Sequence, residues 1–171
     1  MNPFAFFDLE PSFQIDTQAL RKMFLANQRK WHPDFHAATP ELHKQALNQT
    51  AANNEAYALL SDTYGRIKCL LELHGIDAEK EQVLPQTFLM EMMELSDLIE
   101  EAVGGNTHVR EEAETQLGQY FKENETTFEA LATNADACGL SRELLLKAAA
   151  VYQQHRYLLR LRKNLSGIAE L

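Results

Sequence analysis

The sequence predicts an all-α protein built from two helical units, on three observations. Apolar residues recur at three- and four-residue spacing through most of the chain and nowhere alternate in strand fashion for more than a few residues. Hairpin dipeptides such as Asn-Gly or Asp-Gly are absent. The seven Gly and five Pro fall mostly between the periodic segments, where they punctuate rather than interrupt. With 171 residues, 45% hydrophobic and 24% charged, the chain has a globular composition. A chain of this size can bury roughly 70% of its unfolded surface, enough for one sizeable core or two small ones.

Asp16 or Thr17 caps a first long helix that runs to about Trp31, with Leu20, Met23, Phe24, Asn27 and Trp31 at helical spacing. Thr39-Pro40-Glu41 then supplies an N-cap, a first-turn proline and a first-turn acid for a second helix, with Leu42, Ala46, Ala56 and Leu60 on one stripe. That pattern continues or restarts at Ser61-Asp62, carries Ile67, Leu70 and Leu71, and ends at Gly75. Residues 76–85 are short, charged and aperiodic, which marks a linker between units 1–75 and 86–171. Three amphipathic segments follow, about 86–103, 107–133 and 141–165, separated by Gly104-Gly105-Asn106 and by 134–140 with Gly139. Helices of this length with short connections pack most simply as an antiparallel three-helix bundle.

Charge is distributed unevenly. Residues 1–75 carry seven Lys or Arg against eight Asp or Glu, 77–136 three against fifteen, and 137–171 six against two. An acidic middle repels nucleic acid and anionic membrane as main partners and favours a protein with basic patches. The two cysteines, Cys69 and Cys138, are too far apart in sequence for a CxxC site and too few for a disulfide framework, which fits a reducing compartment. The N-terminus shows no signal-peptide pattern and no segment reaches the ~18 apolar residues of a membrane span, so a cytoplasmic protein is expected.

The most specific local signal is His32-Pro33-Asp34, between the first two long helices. Pro33 lacks an N–H and pushes His32 out of helical geometry, so the tripeptide belongs in an exposed bend between antiparallel helices. On the helix before it, Arg21, Lys22 and Arg29 fall within about 100° of arc, roughly opposite Leu20, Phe24 and Trp31, leaving a basic outer face interrupted only by Leu25. A second pattern lies on the helix near Phe88. There Phe88, Met92, Leu95, Ile99 and Ala102 form one inward stripe, while Leu89, Met90 and Met93 form a separate apolar patch continued by Glu94, Asp97 and Glu101. Adaptable methionines with an acidic border suit a protein-binding surface. Tyr157 lies well away from the Leu144, Ala148, Val151 and Leu158 stripe of the last helix.

The basic helix, His-Pro-Asp loop and antiparallel following helix resemble a J domain, the module that docks on DnaK-type chaperones. Further segments are similar to the HscB group of J proteins: Phe6-Phe7-Asp8-Leu9, Phe13-Gln14-Ile15-Asp16, Asn53-Asn54-Glu55-Ala56-Tyr57 with Leu59-Leu60, and Arg66 through Gly75. Phe88-Leu89-Met90-Glu91 is similar to that group's second domain. The resemblance implies a J domain at 1–75 that stimulates ATP hydrolysis by an HscA/DnaK-type chaperone through His32, Pro33 and Asp34, with Arg21, Lys22 and Arg29 steering docking. It implies that 86–171 binds an IscU-like iron–sulfur scaffold through Leu89, Met90, Met93, Glu94, Asp97, Glu101 and Tyr157. It further implies a co-chaperone that catalyses nothing itself and needs no cofactor or metal. Because no cysteine precedes Cys69, the cysteine module of animal mitochondrial members is missing, and the expected setting is the bacterial cytoplasm. The chain departs from the family pattern in one place: Phe35 follows Asp34 directly, where a polar or basic residue usually intervenes, and His36 comes next.

Two other readings compete. A metal site would draw on His32, Asp34, His36 and His43, but Pro33 breaks the helix that would align them and no HExxH pattern is present. A generic J-domain co-chaperone for another client would keep the first unit and change the role of the second.

Overall fold

The computed structural model describes residues 1–36, 38–80, 84–105 and 107–167. Among these residues there are seven α-helices, one 3-10 turn and no strands, and the chain divides into two compact units, Met1–Gly75 and Ile76–Leu171.

The first unit opens with a short helix that the periodicity did not announce, α1 (Pro3–Phe6). Asn2 Oδ1 accepts from the N–H groups of Phe4 and Ala5 at 3.0 and 3.3 Å, and Pro3 occupies the first turn. This helix delivers Phe4 to full burial. Helix α2 (Thr17–Lys30) is capped by Asp16, whose Oδ1 accepts from Gln18 and Ala19, both at 2.9 Å. Helix α3 (Pro40–Ser61) starts where Thr39 Oγ1 accepts from Leu42. The two run antiparallel: Phe24 stacks on Tyr57, Gln28 donates to Asn54, and the Trp31 carbonyl accepts from Thr50. Leu42, expected on the inward stripe, is instead 43% exposed. It lies two turns beyond Thr50, where α3 has run past the end of α2.

The open question at Ser61-Asp62 resolves as a restart. Asp62 is extended, ends α3 and caps α4 (Thr63–Leu73) by accepting from Gly65 N–H at 2.5 Å. Gly65 is required there, since a Cβ would collide with the Leu59 carbonyl oxygen. Arg66 is 7% exposed and satisfies the corner from inside. Its guanidinium donates to the carbonyls of Leu60 at 2.6 Å and Phe13 at 3.1 Å and to Thr63 Oγ1 at 3.1 Å. Burial lowers its pKa, against which the Asp62 charge acts. Phe4, Phe13, Leu20, Leu60, Ile67, Leu70 and Leu71 are fully buried in this unit.

The second unit holds α5 (Gln86–Val103), α6 (Thr107–Cys138) and α7 (Arg142–Leu165). Helix α6 runs five residues past the expected 133, because 134–138 contain polar residues but no breaker until Gly139, whose φ of +79° turns the chain. Ser141 then caps α7 at Leu144 N–H. Met92, Leu95, Ile99 and Ala102 of α5 pack with Ala113 and Leu117 of α6 and Leu158, Leu161 and Leu165 of α7. One buried polar residue crosses this core: Asn124 Nδ2 donates to the Val151 carbonyl at 3.0 Å and lies 3.3 Å from Gln154 Oε1. The segment expected as a linker is partly built in, with Ile76 and Ala78 buried, Gln153 donating to the Ala78 carbonyl and Arg156 paired with Glu79 at 3.0 Å. Residues 81–83 of that segment lie outside the described residues.

Candidate functional site

His32-Pro33-Asp34 sits where α2 ends, in a 3-10 turn over Pro33–His36. Both polar side chains face solvent, His32 at 53% and Asp34 at 84% side-chain exposure. The Asp34 N–H donates to His32 Nδ1 at 3.3 Å, and the Asp34 carboxylate lies 3.6 Å from the same nitrogen. Phe35 N–H closes the turn on the His32 carbonyl at 3.0 Å. The last carbonyls of a helix lack intrahelical partners, and here two side chains supply them. His36 Nε2 lies 2.8 Å from the Lys30 carbonyl, its ring stacked on Trp31 at 5.5 Å, and the Thr50 hydroxyl donates to the Trp31 carbonyl at 3.0 Å. One turn further along α3, fully buried Asn53 donates to the Phe24 carbonyl at 3.1 Å. The tripeptide therefore stands on a helix end tied to its neighbour from two sides, with its two ionisable groups left in water.

Arg21, Lys22 and Arg29 are all exposed on α2, and Leu25 lies among them at 44% exposure. Leu20 alone on this helix is buried, while Met23, Phe24, Asn27 and Trp31 are half-buried. Of the side chains that support the turn, the sequence offers His36 only as a candidate metal ligand and a departure from the family pattern, Asn53 only within a family-like segment, and Thr50 in no role. Thr50 and Asn53 carry a legible signal, since they continue the Ala46, Ala56, Leu60 stripe as polar residues on an inward face. His36 carries none, because its role depends on how the turn is folded.

In the second unit, the inward stripe of α5 is buried at Met92, Leu95, Ile99 and Ala102 and half-buried at Phe88. This leaves Leu89, Met90 and Met93 exposed at 39, 58 and 66%, next to exposed Glu94, Asp97 and Glu101. The electrostatic character of the α5–α6 side shows in Tyr120, whose phenol is pushed up first by burial and then by the carboxylates of Glu91, Glu123 and Glu94. Tyr157 is half-buried rather than free on the surface. Its ring meets Phe88 edge-on at 6.0 Å and lies under the Arg160 guanidinium at 4.3 Å.

Among the described residues no group of three or more His, Cys, Asp or Glu is placed to hold a metal ion. Of the four residues of the metal reading, His36 is turned back onto α2 while His43 lies on α3. Also among the described residues, no helix is long and apolar enough to cross a membrane.

A helical hairpin with an exposed His-Pro-Asp turn, joined in one chain to a three-helix bundle, is the arrangement that the resemblance to J-domain co-chaperones implies. The comparisons with known proteins carry this to a family. The family model described as HSCB C-terminal oligomerisation domain matches residues 84–166. A co-chaperone HscB homologue of Neisseria meningitidis is 31% identical over 171 residues, covering 96% of each chain. One from Vibrio cholerae is 40% identical over 103 residues, 58% of this chain and 60% of that protein. Among solved structures, chaperone HscB from Vibrio cholerae superposes with a TM-score of 0.73 at 26% identity, over 98% of this chain and 97% of the other. Human co-chaperone HscB has the same fold, with a TM-score of 0.74 at 22% identity over 97% and 81%. The chain belongs to the HscB family of co-chaperones. The name co-chaperone implies a chaperone partner.

Proposed function

We propose that residues 1–75 dock on an HscA/DnaK-type chaperone and accelerate its ATP hydrolysis through His32, Pro33 and Asp34, with Arg21, Lys22 and Arg29 steering the encounter. The observation that carries this reading is the built turn itself. Its His and Asp are solvent-exposed, yet the backbone beneath them is held by His36 and Thr50. An exposed polar pair on a fixed backbone loses little conformational freedom on docking, and exposed cations on the adjacent helix raise the rate of encounter with an acidic partner.

The second unit, on this reading, presents an IscU-like iron–sulfur scaffold to the same chaperone. Leu89, Met90 and Met93 supply apolar contact, Glu94, Asp97 and Glu101 supply orientation, and Tyr157 borders the patch through Phe88. The protein would work in the bacterial cytoplasm, during iron–sulfur protein maturation, with the cluster as cargo of the scaffold.

Single-turnover ATP hydrolysis by the chaperone tests both halves, measured with this protein alone, with scaffold added, and with Asp34→Asn. The expected result is stimulation that scaffold amplifies and Asp34→Asn abolishes. Leu89→Ala with Met93→Ala should keep the basal stimulation and lose the amplification. Stimulation indifferent to scaffold would leave a co-chaperone for another client. No stimulation would remove the functional reading of the tripeptide.

A further inference from the structure

Phe35 is 76% exposed. The described residues include all fifteen Phe, Trp and Tyr of the chain, and each of the other fourteen is buried or half-buried. A ring left in water forgoes the burial that dominates the contribution of aromatics to folding. The position is nonetheless fixed, and by its neighbours rather than by packing of its own. On one side, Phe35 N–H is hydrogen-bonded to the His32 carbonyl at 3.0 Å. On the other, His36 is turned inward, bonded to the Lys30 carbonyl and stacked on Trp31. With residue 36 held against α2, residue 35 is held away from it, its ring 5.6 Å from that of His32, whose Nδ1 lies 3.6 Å from the Asp34 carboxylate.

We infer that Phe35 is an apolar anchor of the chaperone-docking surface, seated on the chaperone in an apolar notch beside the cationic group that receives Asp34. This deepens the function proposed above and rests on it. The division of labour follows from the physics of interfaces. Arg21, Lys22 and Arg29 are exposed charges, whose effect falls chiefly on association rate and is screened by salt. A rigid aromatic that becomes fully buried acts on dissociation, and aromatics, Phe among them, are enriched in the buried cores of protein interfaces. In this chain an aromatic occupies the position directly after the Asp, so the docking surface is mixed apolar and ionic rather than ionic throughout.

The test uses the full chain and measures chaperone ATPase as a function of co-chaperone concentration, at low and at raised salt. Phe35→Ala should raise the half-maximal concentration about tenfold, ~1.4 kcal/mol, leaving the maximal rate and the salt dependence as in wild type. Phe35→Leu, which restores apolar volume, should recover most of the loss, and far-ultraviolet circular dichroism should be the same for all three proteins. With wild type active and Asp34→Asn inactive, an unchanged half-maximal concentration for Phe35→Ala overturns this inference and leaves the docking reading standing. A fall in maximal rate at unchanged half-maximal concentration also overturns it, because Phe35 would then act on activation instead of affinity. A wild-type chain that stimulates nothing overturns both.

Discussion

Arg66→Met removes the donors that hold the α3–α4 corner together while keeping roughly the volume of the side chain, and its cost can be worked from the contacts. The guanidinium serves the Leu60 carbonyl at 2.6 Å, the Phe13 carbonyl at 3.1 Å and Thr63 Oγ1 at 3.1 Å from a site 7% exposed. Leu60 belongs to the last turn of α3, so its carbonyl has no intrahelical donor, and Phe13 lies in a segment outside any helix. Replacing a buried ion by a hydrophobe can be neutral when every partner leaves with it. Here the carbonyls stay. Each buried acceptor that loses a charged donor costs about 1–3 kcal/mol, so the loss at both carbonyls costs ~4 kcal/mol, a large share of the about 5–15 kcal/mol that stabilises an ordinary domain.

Trp31, the one tryptophan of the chain, lies in the first unit and reports its unfolding by fluorescence. With a urea slope of ~1 kcal/mol/M, at the lower end for small proteins, the midpoint should fall by about 3–4 M. Arg66→Lys keeps the charge but offers a single ammonium in place of a fork, which should give roughly half that shift. A midpoint displaced by less than about 1 M for Arg66→Met would refute the reasoning, because the two carbonyls would then have found other donors or water at little cost.

Two further expectations concern stability and reactivity. Asn124→Ala in the second unit should cost about 1–2 kcal/mol, read as a thermal midpoint several degrees lower, since it strips the buried Val151 carbonyl of its side-chain donor. A cost near zero would mean that this core polar contact is dispensable. Cys138 is exposed, whereas Cys69 is 5% exposed with its thiol pushed up first by burial and then by Glu72. A raised pKa leaves less thiolate at neutral pH, so iodoacetamide at pH 7.5 should alkylate Cys138 at least about tenfold faster than Cys69. Equal rates by peptide mass spectrometry would contradict the placement of Cys69.

What could be read from sequence divides along the range of the interactions. Caps are local, and Asp16, Thr39 and Ser141 start helices through hydrogen bonds to residues two or three positions on. The same chemistry was present at Asn2-Pro3 but opened a helix of only four residues, too short to show a period. Leu42 illustrates the opposite failure, because helical phase assigns a face without saying whether anything lies opposite. Helix α6 outruns its sequence expectation because the polar composition at 134–138 reads as a connection, whereas the chain turns only at Gly139. At the turn, Pro33 predicts an exposed bend from backbone chemistry alone, and His32 and Asp34 are indeed in solvent. The ties beneath it join residues six and nineteen positions apart, His36 to Lys30 and Thr50 to Trp31, and no local pattern encodes them.

The shared cap at Asp62 has a consequence for how this chain can vary in length. One residue both ends α3 and begins α4, with Gly65 packed against the Leu59 carbonyl and Arg66 reaching back to Leu60. Loops ordinarily absorb insertions and deletions at little cost, but this corner has no loop to lengthen. A single added residue would rotate α4 by about 100°, carrying Ile67, Leu70 and Leu71 out of the core and Arg66 away from both carbonyls. In this part of the chain, length is specified as strictly as residue identity.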